Sequence, residues 1–80
     1  MEFKTGQIVI SKAGRDKGSP LVVTGFDGNS VLVCDGKARP LERPKKKNPR
    51  HLQATSGVLS PDAAATNRQL KRALSAQIIK

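Results

Sequence analysis

Apolar side chains come in short β-branched bursts over the first half of the chain and at helical spacing near its end. The first burst, Gln7-Ile8-Val9-Ile10-Ser11-Lys12, ends at Gly14; the second is Leu21-Val22-Val23-Thr24-Gly25-Phe26; the third is Ser30-Val31-Leu32-Val33-Cys34. Short runs rich in Val and Ile, bounded by Gly, Pro, Asp and Asn, read as strands. Asp27-Gly28-Asn29 separates the second from the third. Asp-Gly between apolar runs predicts a hairpin, because the tight turns need a positive φ that Gly adopts without steric cost. Asp35-Gly36 repeats the signal and predicts a fourth strand over Lys37-Ala38-Arg39-Pro40-Leu41-Glu42, with a fifth around Arg50-His51-Leu52. Pro40 has no N–H to donate, so the fourth strand lies at an edge or breaks there. Strands this short, with turns this frequent, predict a small barrel rather than an open sheet.

The second half reads differently. Pro44-Lys45-Lys46-Lys47-Asn48-Pro49 is bracketed by prolines and carries three adjacent ammonium groups, which predicts an extended, solvated loop. Gln53 to Leu59 has no clear period and reads as a linker. Ser60-Pro61-Asp62 is a helix start: a capping hydroxyl, a proline suited to the first turn and an acid that complements the dipole. At 100° per residue Ala63, Leu70, Leu74 and Ile78 form one apolar stripe with Ala73 beside it, while Arg68, Lys71 and Arg72 fall on the far side. This predicts an amphipathic helix near Asp62 to Ile79, packed on the barrel or on a partner. The expected organisation is therefore a barrel over residues 1–53 that includes a basic loop at 37–51, a linker over 54–60, and a C-terminal helix within 61–80.

Length and charge narrow the function. Eighty residues allow one small domain, with a core too modest for a deep substrate cleft. No acid and base pair converges in the sequence, so an enzyme is not expected. The formal charge is +9, which points to a polyanionic partner. That excess is segregated. Residues 1–36 are neutral overall. Residues 37–51 set Lys37, Arg39, Arg43, Lys45, Lys46, Lys47 and Arg50 against Glu42 alone. Cys34 and His51 are the only thiol and imidazole, so neither a disulfide nor a zinc site is expected, and no cofactor is implied. No apolar run approaches a membrane span, and Met1 to Gly6 lacks the apolar centre of a secretion signal. A cytoplasmic protein that does not engage membranes is expected.

Candidate contacts follow from the charge. Lys37, Arg39, Arg43, Lys45, Lys46, Lys47, Asn48, Arg50 and His51 form the basic loop. Arg can grip a phosphate with two parallel donors, whereas Lys acts as a mobile point charge. About five such contacts would give log affinity a slope of roughly −3.5 to −4.5 against log salt. Gly14-Arg15-Asp16-Lys17-Gly18 is a second element: Gly14 and Gly18 allow a tight turn, from which Arg15 and Lys17 can reach phosphate or sugar. Cys34 reads as a small core side chain. Phe3 and Phe26 are the only aromatic residues, too few for a base-stacking platform, which favours recognition of backbone and shape in folded RNA.

Gly6 to Gly18 resembles the opening of a KOW motif, in which a strand leads into a glycine-bounded basic turn. Val31 to Lys37, then Pro44 to Asn48 with His51-Leu52, resembles the e-type KOW proteins of the large ribosomal subunit, of the fourteen-e and twenty-seven-e group. Ser60-Pro61-Asp62 matches the capped helix that ends the fourteen-e type. The resemblance covers about residues 6–75. It implies an SH3-like, five-stranded barrel with a C-terminal helix, and a non-catalytic role in binding structured RNA, large-subunit rRNA above all, beside neighbouring ribosomal proteins. KOW domains also occur in transcription elongation factors that contact polymerase. The alternative is therefore a protein-interaction module of the transcription or translation machinery, with Leu70, Leu74 and Ile78 as its contact surface.

Overall fold

The structure, a computed structural model, describes residues 3–78. It is mainly β with one C-terminal helix: β1 Gln7–Ser11, β2 Pro20–Asp27, β3 Ser30–Cys34, β4 Lys45–Lys47, β5 Leu52–Val58 and α1 Asn67–Ile78. The strands form one antiparallel sheet in the order β4-β3-β2-β1-β5. β1, β2 and β3 lie where the apolar bursts put them. Asp27 pairs with Ser30, leaving Gly28 and Asn29 as a two-residue turn. Gly28 supplies φ +59 at its first position, as a type II′ hairpin requires.

Both faces of the sheet are buried, which is why these strands read as continuous apolar runs and not as alternation. Val9, Leu21, Val23, Val31, Val33 and Leu52 form one core, with Phe3 packed on it. Ile8, Val22 and Cys34 point the other way and meet Leu70 and Leu74 of α1, with Leu41, Leu59 and Ala64 at the margin. Each fully buried aliphatic side chain contributes about 1.5–3 kcal/mol. The helix thus packs on the sheet, and Leu70 and Leu74 are not a partner surface; the side chain of Ile78 and the whole of Ile79 lie outside the described residues. Cys34 is fully buried, its thiol donating to the Pro40 carbonyl (3.4 Å). Burial pushes that thiol above its ordinary value despite the hydrogen bond to Thr24, and the nearby charges of Asp35 and Glu42 act in the same direction.

The sheet bends around the first core. Lys47 Nζ on β4 donates to the Ala13 carbonyl, 2.8 Å away and just beyond β1, although β3 and β2 lie between them in the order. In a flat sheet, at about 4.8 Å per strand, β4 and β1 would stand roughly 14 Å apart, farther than a lysine reaches. The end strands β4 and β5 are joined by a 3-10 turn at Pro49–His51, with no ladder between them among the described residues.

Four expectations need correction. Lys37–Glu42 is not a strand. Asp35 Oδ1 accepts from the N–H groups of Lys37 and Arg39, both at 2.8 Å, while the Arg39 carbonyl accepts from Asp35 and Gly36. These local bonds take the amides of Lys37 and Arg39 and the Arg39 carbonyl away from a ladder, and Pro40, which has no N–H, follows. The fourth strand is Lys45–Lys47, in the segment expected to be a solvated loop. Alternation answers the repulsion argument: Lys45 and Lys47 face one way and Lys46 the other, and both prolines lie outside the paired residues. The fifth strand starts after Arg50 and His51, which belong to the 3-10 turn, and it occupies Leu52–Val58 where a linker was expected. Its polar run hid it. The irregular register with β1 is held by Gln7 Nε2 donating to the Thr55 carbonyl (3.0 Å) and Thr55 Oγ1 donating to the Ile8 carbonyl (2.6 Å).

The helix, finally, begins at Asn67 and not near Asp62. Ser60 caps only a local turn, its oxygen accepting from Ala63 N at 3.3 Å. Thr66 is the effective cap, accepting from Gln69 N at 3.2 Å, and the Thr-x-x-Gln spacing is a helix-start signal in its own right. Thr66→Ala is expected to remove about 1 kcal/mol and lower the melting temperature by about 4–8 °C. A thermal melt showing no loss would assign the helix start to docking alone.

Candidate nucleic-acid interface

Three pieces of chain that are remote in sequence meet on one side of the sheet: the β1–β2 loop, the β3–β4 loop and the start of β4. They enclose a depression of about 470 Å³ lined by Arg15, Asp16, Ser19, Asp35, Lys37, Ala38, Arg39 and Lys45. Each element has a local reason for its shape. Gly14 and Gly18 turn the β1–β2 loop at φ +86 and +87, and Gly18 N donates to the Ser11 carbonyl at 2.7 Å. The Asp35 carboxylate organises the β3–β4 loop through the Lys37 and Arg39 amides. That loop is clamped to α1 by Asn67, whose Oδ1 accepts from Leu41 N (2.7 Å) and whose Nδ2 donates to Glu42 Oε1 (2.8 Å).

Four cations thus converge on two carboxylates, and one of these is already occupied. Asp16 Oδ1 accepts from Ser11 Oγ (2.9 Å) and from Lys47 Nζ (3.1 Å), while its Oδ2 is buried without a partner among the described residues. Burial raises the Asp16 pKa, but the Ser11 and Lys47 hydrogen bonds and the Lys47 charge together outweigh it, holding the carboxyl below its ordinary value. Among the described residues, Arg15, Lys37, Arg39 and Lys45 make no ion pair. A concave site with unpaired guanidinium and ammonium groups and an excess of positive charge is suited to phosphate.

The other sequence-derived candidates fall elsewhere. Lys47 must be withdrawn from the contact set: it is 7% exposed, and its ammonium tethers β4 to the β1–β2 loop. Lys46 is exposed on the opposite face of β4 and pairs with Asp27 Oδ2 at 2.8 Å, a contact that raises its pKa. Asn48 caps the 3-10 turn by accepting from Arg50 N at 2.9 Å. Arg50 and His51 are exposed on that turn, which the Lys12 N–H to His51 carbonyl bond (2.7 Å) fixes beside the root of the β1–β2 loop. Lys17 and Arg43 are exposed and do not line the depression. Sequence reasoning read Asp35-Gly36 as a hairpin turn into a strand and missed that the Asp35 carboxylate itself shapes the basic loop. It also missed Asn67 as the clamp, for which no local signal exists. Neither the family models nor the curated proteins compared with this chain match it.

Proposed function

We propose that this chain is a non-catalytic RNA-binding module of the cytoplasm that docks on structured RNA through the depression between the β1–β2 and β3–β4 loops. The observation that carries the reading is the convergence of Arg15, Lys37, Arg39 and Lys45 from separate elements on one concave site. Scattered solvating charges have no reason to gather in this way. Phe26 is the one large aromatic at the surface, 42% exposed at the β2–β3 hairpin, and Phe3 packs on the core. One ring is no stacking platform, which supports recognition of backbone and shape over single-stranded sequence. The KOW resemblance directs the choice of RNA to that of the large ribosomal subunit.

Replacing Arg15, Lys37, Arg39 and Lys45 together by Gln tests this reading while leaving Lys47 in place. If the four meet phosphates of a duplex, the slope of log affinity against log salt should become shallower by about 3–4, and low-salt binding to a large-subunit rRNA fragment should fall by more than about a hundredfold. Equal binding by a variant with an unchanged thermal melt would remove the site. Sedimentation of the native protein with the large subunit, weakening as salt rises, is the corresponding result in extracts.

A further inference from the structure

The depression does not end at the two loops. A second hollow of about 180 Å³ is lined by Ser19, Pro20, Asp35, Lys37, Lys71, Leu74 and Ser75, and it shares Ser19, Asp35 and Lys37 with the first. The two are one groove with Lys37 at the waist. It joins Arg15, Arg39 and Lys45 of the first hollow to Lys71 on the second turn of α1. The helix and the β3–β4 loop can approach this closely because Gly36 lies between them. A Cβ there would collide with the Asn67 carbonyl and lie 3.1 Å from the Lys71 backbone nitrogen.

From this continuity we infer that α1 is the far wall of the binding groove, with Lys71 a phosphate-contacting residue, and that the groove takes a run of successive RNA phosphates and not a single one. The inference rests on the RNA reading above and extends it to an element that the basic-loop argument leaves out. Lys71 is exposed and has no ion-pair partner among the described residues. Arg15, Arg39 and Lys45 line the larger hollow, Lys71 lines the smaller, and Lys37 lines both. A phosphodiester chain, with a charge at every nucleotide, matches cations divided between two joined hollows better than one lone phosphate does. Leu70 and Leu74 hold the helix to the sheet, and Leu74 also lines the hollow beside Lys71, so the same packing that docks the helix places Lys71 at the groove.

The test compares two variants that remove one positive charge each from the same helix. Lys71→Gln takes it from the groove wall, and Arg72→Gln takes it from a residue that lines neither hollow. Gln is nearly as good a helix former as Lys or Arg, so folding should be unchanged and a thermal melt will verify this. The probe is a large-subunit rRNA hairpin titrated at several salt concentrations. Lys71→Gln should weaken binding by about three- to tenfold and make the salt slope shallower by about 0.7–0.9, the value of one lost phosphate contact. Arg72→Gln should change the slope by well under half of that. Equal effects from the two would overturn the groove and leave the RNA reading standing. A wild-type protein that binds none of the hairpin at low salt would overturn both.

Discussion

Gly36→Ala is expected to remove about 2–5 kcal/mol of folding stability, a large share of the roughly 4–12 kcal/mol available to a domain of this size. Two costs combine. Gly36 sits at φ +78, where a side chain costs about 1–2 kcal/mol. The added methyl would also drive into the Asn67 carbonyl in the first turn of α1, and backbone that must shift to admit such a group costs about 1–3 kcal/mol more. Gly18 supplies the control. Its φ is +87, yet a Cβ there would meet nothing within 4 Å, so Gly18→Ala should show the conformational cost alone. Thermal melts should place Gly36→Ala at least about 10 °C below the wild type and clearly below Gly18→Ala. Similar losses at both positions would show that the helix does not press on the loop. Because Gly36 joins the two walls of the groove, the RNA reading proposed above requires the variant also to lose RNA affinity at temperatures where it remains folded.

Lys47→Met is expected to cost about 2–4 kcal/mol. Removing one partner of a buried pair typically costs about 3–5 kcal/mol, because the other charge is left in a poorly solvated place. Asp16 keeps 22% of its side-chain exposure, which moves the expectation down. The loss is larger than for a surface pair. Lys46→Met breaks the pair with Asp27, in which the two side chains are 66% and 55% exposed, and should lower the melting temperature far less than Lys47→Met does. The pH dependence identifies the mechanism. In the wild type the Asp16 pKa is depressed below 3.8, so its contribution is fully present above that pH and is lost as pH falls through the lower folded value. Without Lys47, two of the causes that hold the carboxyl down are gone and only the Ser11 and backbone hydrogen bonds oppose burial, so the carboxyl rises and its charged form contributes less to folding. The gap in melting temperature between wild type and Lys47→Met should therefore be widest near neutrality and shrink below about pH 4. A gap that stays constant down to about pH 3 would mean that Lys47 acts through packing of its alkyl chain and not through Asp16.

Lys47 also shows how a sequence misleads. Three adjacent lysines between prolines look alike on the page, and all three were reasonable phosphate contacts. The structure gives them separate roles: Lys45 lines the groove, Lys46 pairs across the hairpin with Asp27, and Lys47 is buried as a tether. Alternation along β4 separates the first two, and this much was legible once the segment was read as a strand. The burial of Lys47 was not legible. It depends on Ala13 and Asp16, more than thirty positions earlier, being carried to the end of β4 by the bend of the sheet.

The rest of the fold divides along the same line. β1, β2 and β3 were readable because their signals are local: β-branched runs ended by Gly and Asp turns. β5 was not, since Gln53-Ala54-Thr55-Ser56-Gly57 has weak strand propensity and is held by its pairing with β1. The first turn of the helix was misplaced because two start signals compete, at Ser60 and at Thr66. The second prevails because Asn67 ties it to Leu41 and Glu42.

The sequence alone determined that the chain folds as a mainly β unit with a terminal helix, and that its positive charge follows a neutral scaffold. Local propensity and composition suffice for both. Only the tertiary structure decided which charges share a surface. Arg15, Arg39, Lys45 and Lys71 are separated by up to 56 positions, and no periodicity links them. They meet because a bent sheet brings β4 to the β1–β2 loop and because a glycine lets α1 lie against the loop that carries Lys37. Proximity of this kind is a property of packing, and it has no local signature to read.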